Sequence, residues 1–187
     1  NPTSPVSVAN TGAILSSAED ILVNGSYAYT ANIGDDTLKV HDISNPNSVT
    51  TVASVSLGAG TDPTKLVLSG NYLYIINNAS DEIEVWDISN PASPMFVSAN
   101  NTQVNDQPAD AYLQGKYLYV VNRGTSPVIE AFDVSNPYAI TSAGSASTTH
   151  SVTSITVNGR YAYMGDEQAT STLKIFDIKN PASMSSV

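Results

Sequence analysis

Acid–base chemistry has few side chains to draw on in this chain of 187 residues. Two histidines, His41 and His150, and seven Lys and Arg stand against seventeen Asp and Glu, and there is no cysteine. Ser16, Thr61, Asp106 and His150 share one recurring position, and Asp20, Lys65, Asp110 and Ser154 share another four residues further on. Asp20, Lys65, Asp106, Asp110 and His150 are thus the one mixed cluster of ionisable groups that the recurrence brings together, at the mouth of a central channel, and they are the candidate ligand-binding residues. A carboxylate beside an imidazole, such as Asp110 with His150, has the residue types of a general acid–base pair. Solvated polar groups around a channel mouth would read the same way, and the sequence favours that plainer reading. No nucleophile elbow, Walker loop or paired-histidine zinc motif occurs. Two histidines do not make a His-rich metal site, and without cysteine there is no thiol nucleophile. His41 falls at a packing position within a strand, so the expectation is that no residue is catalytic.

Acidic pairs offer a second chemistry. Asp35-Asp36, Asp81-Glu82 and Asp166-Glu167 lie in equivalent polar stretches. Calcium takes several hard oxygen ligands, which makes Asp35, Asp36, Asp81 and Glu82 its weak candidates. None of these stretches has the spaced acids of an EF-hand, and solvated hairpin tips are the default reading. The sequence calls for no other cofactor.

The elements that must position these groups are written four times. Tyr27-Ala28-Tyr29, Tyr72-Leu73-Tyr74, Tyr117-Leu118-Tyr119 and Tyr161-Ala162-Tyr163 each follow a glycine, at Gly25, Gly70, Gly115 and Gly159, in steps of 45, 45 and 44 residues. The second phrase begins at Asp42, Asp87, Asp133 and Asp177 and ends in Asn-Pro. A period of this length marks a repeat architecture. In the second unit, 65–68 and 72–77 make a hairpin around Ser69-Gly70-Asn71, 82–88 a third strand and 95–99 a weaker fourth; Asn24-Gly25 and Asn158-Gly159 are strong hairpin turns. Pro91 ends the third strand because it has no N–H to give a ladder. Four strands per repeat and no helical period predict an all-β fold, a β-propeller of four-stranded antiparallel blades. The blades run over about 18–56, 63–101, 108–146 and 152–187. Asp42, Asp87, Asp133 and Asp177 recur in every blade, as do Tyr29, Tyr74, Tyr119 and Tyr163, whereas an active site is asymmetric. These acids are read as structural, accepting backbone hydrogen bonds at the turn. His41, Trp86, Phe132 and Phe176 occupy one position and read as packing between blades.

Together these phrases resemble the LVIVD repeat of bacterial and archaeal propeller proteins. The matching stretches are 38–43, 83–88, 129–134 and 173–178, and the third departs most, with Ala131 where a larger aliphatic is usual. The resemblance implies a secreted or surface-attached prokaryotic protein and transfers no catalytic residue.

A formal charge of -10 and a pI near 4.2 make nucleic acid and anionic lipid poor partners. No apolar run approaches the roughly 18 residues of a spanning helix, so direct membrane insertion is not expected. Asn1-Pro2 aligns with Asn90-Pro91, so the chain opens at the end of a repeat and leaves an orphan outer strand over 5–10. That strand either closes the chain's own ring or pairs elsewhere; an incomplete ring, part or half of one with about eight blades, is the favoured expectation. The functional expectation is a non-enzymatic extracellular or cell-surface module that binds protein or glycan or scaffolds, with self-association through the N-terminal strand. The alternative is an enzyme or small-ligand binder that uses the channel cluster.

Overall fold

Tight turns and alternating strands organise the chain into four successive sheets. The structure is a computed structural model that describes residues 7, 12–100, 107–124, 126–167 and 172–187. The first sheet comprises β1 (Ala18–Asn24), β2 (Tyr27–Asn32), β3 (Thr37–Asp42) and β4 (Thr50–Ser56). The second comprises β5 (Pro63–Ser69), β6 (Tyr72–Asn77), β7 (Glu82–Asp87) and β8 (Met95–Asn100). The third comprises β9 (Pro108–Gln114), β10 (Tyr117–Asn122), β11 (Val128–Asp133) and β12 (Thr141–Ser147). The fourth comprises β13 (Val152–Asn158), β14 (Tyr161–Asp166), β15 (Leu173–Asp177) and the short β16 (Ser185–Ser186), the last preceded by a 3₁₀ turn, Pro181–Ser183. Every pairing is antiparallel between strands adjacent in sequence, the arrangement of a propeller blade. Gly25 and Gly70, both at φ 59, make the first hairpin turns in a conformation that costs glycine nothing.

The Asp-Asn-Pro turns are built from side chains. Oδ1 of Asp42, Asp87, Asp133 and Asp177 accepts from the backbone N–H two residues on, at 2.8, 2.8, 3.0 and 3.0 Å. Asn45 and Asn90 repeat the device three residues later, accepting from Asn47 and Ala92. These are local turns that use up carboxylate lone pairs on the backbone.

Blades stack through three apolar junctions. Tyr29, Leu38 and Val40 meet Leu66, Ile75 and Trp86 between the first and second. Tyr74, Ile83 and Val85 meet Leu118, Val120 and Phe132 between the second and third. Tyr119 and Ile129 meet Ile155, Met164 and Phe176 between the third and fourth. Fully burying one such side chain is worth about 1.5–3 kcal/mol. His41 takes the Trp86 position in the first blade, buried, with Nε2 3.2 Å from Thr30 Oγ1 and Nδ1 3.0 Å from Thr51 Oγ1. Burial pushes its pKa down, which keeps the imidazole neutral.

The stack is an open arc. The innermost strands β1, β5, β9 and β13 lie side by side in that order, and β13 does not return to pack on β1. Leu38, Ile83 and Ile129 are wholly buried at successive junctions, whereas the equivalent Leu173 of the last blade is 68% exposed. At the other end Ile21 is 62% exposed, where its counterpart Leu66 is 3%. The orphan strand expected over 5–10 lies, Ser7 apart, outside the described residues. No helix among the described residues is long and apolar enough to cross a membrane.

Candidate active site

Each innermost strand carries a bulge at its start. The register of β1 against β2 shifts between Ala18 and Asp20, and the same shift precedes Lys65, Asp110 and Ser154. A bulge re-aims the next side chain, here toward the neighbouring blade. Asp20 Oδ2 accepts from Leu66 N–H at 2.9 Å and Asp110 Oδ2 from Ile155 N–H at 2.9 Å, so each carboxylate ties its blade to the one after it. Lys65 stands at the position between them, its Nζ 3.6 Å from Asp20 and 3.4 Å from Asp110. With a lysine there, the N–H of Ala111 turns instead to Oδ1 of Asp110, at 2.9 Å. The structure therefore brings Asp20, Lys65 and Asp110 together as a charged latch across three blades, and spends the carboxylates on backbone donors. Asp106 lies outside the described residues.

His150 joins a different group. Its Nδ1 is 3.7 Å from Asp166 Oδ2 and 3.4 Å from Lys174 Nζ, and Lys174 Nζ is 3.4 Å from the same carboxylate oxygen. Thr148 Oγ1 donates to the His150 carbonyl at 3.0 Å, and Thr149 beside it is held at φ 66, a costly conformation for a β-branched residue. Asp166 closes the second strand of its blade with its side chain buried. Its Oδ2 accepts from the Thr172 hydroxyl at 2.7 Å and its Oδ1 from Thr172 N–H at 2.8 Å. These bonds, with the Lys174 ammonium, hold its carboxyl down to about 2. The other blades have Asn32, Asn77 and Asn122 at this position.

The chemistry follows from the donors. A lysine ammonium can only donate, so Nδ1 of His150 is the acceptor in their contact and Nε2 is the ring nitrogen left to donate. With its side chain half exposed, it is a hydrogen-bond donor within reach of solvent, backed by an ammonium and a buried carboxylate. Such a donor polarises a carbonyl or stabilises the oxyanion formed from it. Sequence reasoning paired His150 with Asp110 and took Asp166 for a hairpin-tip acid. The signal that could have found the group was the one Asp among the Asn at the close of the second strands.

Three of the four calcium candidates are engaged by protein donors. Asp36 accepts from Gly60 N–H at 2.7 Å and Asp62 N–H at 3.0 Å, and Asp81 from Gln107 N–H at 3.0 Å, each tying a hairpin to the next blade. Asp35 accepts from Thr37 Oγ1 at 2.6 Å and Lys39 Nζ at 2.8 Å. Among the described residues no group of three or more His, Asp or Glu converges on a metal position.

Against this geometry the profile of a family described as lactonase, 7-bladed beta-propeller, matches residues 19–185. The chain belongs to that lactonase family. No curated protein matches it. Among solved structures, this lactonase-family chain is similar to a provisionally assigned 6-phosphogluconolactonase from Bacteroides fragilis, at 18% identity and TM-score 0.80 over 91% of the chain and 53% of that protein. It is similar also to the periplasmic gluconolactonase of Pseudomonas aeruginosa, at 16% identity and TM-score 0.79 over 91% and 53%. A computationally designed protein, Ika4, matches at 13% identity and TM-score 0.67 over 94% of the chain and 99% of that protein. The chain thus spans about half the length of the two gluconolactonase-type structures, and its fold is part of a larger propeller.

Two sequence expectations are corrected. The LVIVD resemblance gives way to the lactonase family, because the stretches that carried it are the buried strands and Asn-Pro turns that any such blade needs. They specify a blade and discriminate poorly between propeller families. The non-enzymatic scaffold reading gives way as well, since a lactonase family points to an enzyme. That expectation compared equivalent positions only, whereas His150, Asp166 and Lys174 stand at three different positions of one blade.

Proposed function

We propose that the chain supplies four blades of a lactone-hydrolysing propeller, and that His150, Asp166 and Lys174 are its contribution to the reactive centre. The observation that carries the reading is the family match over 19–185 in a chain whose last blade holds this asymmetric group. Sugar lactones are the favoured substrates, because two structural relatives are described as gluconolactonase or 6-phosphogluconolactonase. In lactone hydrolysis water adds to the ring carbonyl and gives a proton to solvent, the carbonyl oxygen becomes an oxyanion, and its collapse breaks the bond to the ring oxygen, which takes a proton from solvent and leaves as a hydroxyl. His150 would donate its Nε2 proton as a hydrogen bond to that oxygen, where charge develops. Lys174 fixes the tautomer and adds positive potential, while Asp166 anchors Lys174. Asp20, Lys65 and Asp110 form the latch that sets the spacing of the innermost strands beside it.

An extracytoplasmic location is supported by the cysteine-free acidic composition and by the periplasmic relative. The test of function is proton release from glucono-δ-lactone at constant pH. Hydrolysis above the buffer rate that drops about 100-fold in His150→Ala is expected, the loss typical of one oxyanion donor. No acceleration by the chain, or the same rate in the variant, would overturn the assignment.

A further inference from the structure

At the end of the blades opposite His150, the third and fourth blades part around a cavity of about 370 Å³. That volume lies within the roughly 300–1,000 Å³ of small-molecule pockets. Its walls carry Lys116, Arg160 and Lys179 beside Tyr117, Ile178 and Pro181. Three of the seven Lys and Arg of an acidic chain thus converge on one cleft.

The repeat makes this convergence specific. Lys116 and Arg160 follow the turn glycines, where the first two blades have Ser26 and Asn71. Lys179 stands in the Asp-x-x-Asn-Pro turn where the other blades have Ser44, Ser89 and Ser135. Gln114 Nε2 donates to the Gly159 carbonyl at 2.8 Å and pins the two turns together across the cleft.

Charge pairing leaves one cation with no carboxylate at salt-bridge distance, although its charge acts on Asp177 from further off. Lys116 pairs with Asp133 at 2.6 Å and Arg160 pairs with Asp177. Lys39, Lys65, Arg123 and Lys174 are likewise bound to carboxylates. Among the described residues, which include all seven, Lys179 is the one Lys or Arg without such a partner.

We propose that this cleft binds a small organic anion, whose carboxylate or phosphate is held by Lys179 between the Lys116 and Arg160 side chains while its carbon skeleton lies on Tyr117, Ile178 and Pro181. The two neighbouring ion pairs hold their cations in place, so an arriving anion meets preorganised donors. The site is separate from the His150 group, since it sits at the far ends of β9 and β13, and it stands whether or not the chain hydrolyses lactones.

Titration calorimetry on the whole chain tests it with four probes. Gluconate carries a carboxylate and 6-phosphogluconate adds a phosphate to the same skeleton, inorganic phosphate carries the charge alone, and glucose carries a related skeleton without charge. Saturable binding of gluconate or 6-phosphogluconate, about tenfold weaker in Lys179→Ser and unchanged in Arg123→Gln, is the expected result. Lys179→Ser restores the residue of the other three blades, and its thermal midpoint should match the wild type. Tighter binding of 6-phosphogluconate assigns the phosphate to the cleft, and binding of gluconate at least as tight assigns the carboxylate. Saturation by neither acid, phosphate binding as tightly as both, equal binding of glucose, or equal weakening in Arg123→Gln would each overturn the proposal.

Discussion

The indole Nε1 of Trp86 donates to Oε2 of Glu84 across 2.6 Å inside the junction of the first two blades. Asn77 Nδ2 donates to the other carboxylate oxygen at 3.0 Å, and Glu84 is 4% exposed. Burial pushes the Glu84 carboxyl up, and the two donors act against that shift. Trp86→Phe keeps a ring at the site, where Trp86 packs edge-on against Phe96 with centroids 5.7 Å apart, but removes a donor from a buried carboxylate. Leaving such a group short of a partner costs about 1–3 kcal/mol. The expected outcome is a lower urea midpoint with the slope unchanged. In the double variant Trp86→Phe with Glu84→Gln the two losses should add to less than their sum, and strict additivity would show that the pair is not coupled.

Glu130 occupies the Glu84 position one blade on, and burial raises its carboxyl to about 7. The ordinary value is 4.5, so the folded state holds the proton more tightly than the unfolded chain. Its contribution is complete below about 4.5, declines as the pH rises toward 7, and is gone above that. Glu130→Gln stays neutral throughout and should stabilise the protein at pH 8 by on the order of 2 kcal/mol relative to the wild type. At pH 4 the two should coincide. Thermal midpoints at both pH values decide it; a gap that is the same at each would remove Glu130 from the account.

How much the sequence reveals differs sharply between strands and site. The β6 strand runs Tyr72–Asn77, as the hairpin around Ser69-Gly70-Asn71 predicts, because strand preference and turn chemistry are local properties. The chemistry is not local. Asp166 reaches His150 from 16 positions away, and Lys174 reaches both from a third strand. Comparing equivalent positions found His150 and, at Asp20, Lys65 and Asp110, a set that the structure uses to bind blade to blade. The bulges that turn those side chains toward the next blade leave no mark in residue type, so their bonding was not legible. The three cations of the far cleft were visible as departures from the repeat, but only the packing of two turns shows them converging.

Gly144 is where the edge of the third blade meets the fourth. It lies at φ 150, and a Cβ there would collide with the Pro181 carbonyl oxygen and come within 2.8 Å of Ala182 Cα. Both obstacles are backbone of the 3₁₀ turn and cannot rotate away. Gly70→Ala, by contrast, meets nothing within 4 Å and suffers only from its φ of 59. Gly144→Ala should cost more than about 2 kcal/mol and Gly70→Ala about 1 kcal/mol. Denaturant unfolding of the two variants side by side checks the order; equal losses would mean that the contact between Gly144 and Pro181 is not held in solution.

Asp166→Asn separates the fold from the chemistry at the His150 group. Asparagine stands there in the other three blades, and in the third Asn122 Oδ1 accepts from Val128 N–H at 2.8 Å, as Asp166 Oδ1 accepts from Thr172 N–H at 2.8 Å. The variant therefore keeps the backbone bond that ends the strand, and loses the charge facing Lys174 and His150 together with the oxygen that accepts from the Thr172 hydroxyl. The wild-type carboxyl lies at about 2, below its ordinary 3.8, so its contribution to stability is present above 3.8 and fades as the pH falls from there toward 2. The variant should lack that fading in acid, and at pH 7 it should remain folded with a modestly lower thermal midpoint. Lactone hydrolysis should fall at least tenfold, because Lys174 without its anchor no longer fixes the His150 tautomer. A folded variant with full activity would show that Asp166 serves the strand end alone, and the reactive centre would then have to be sought among groups other than these three.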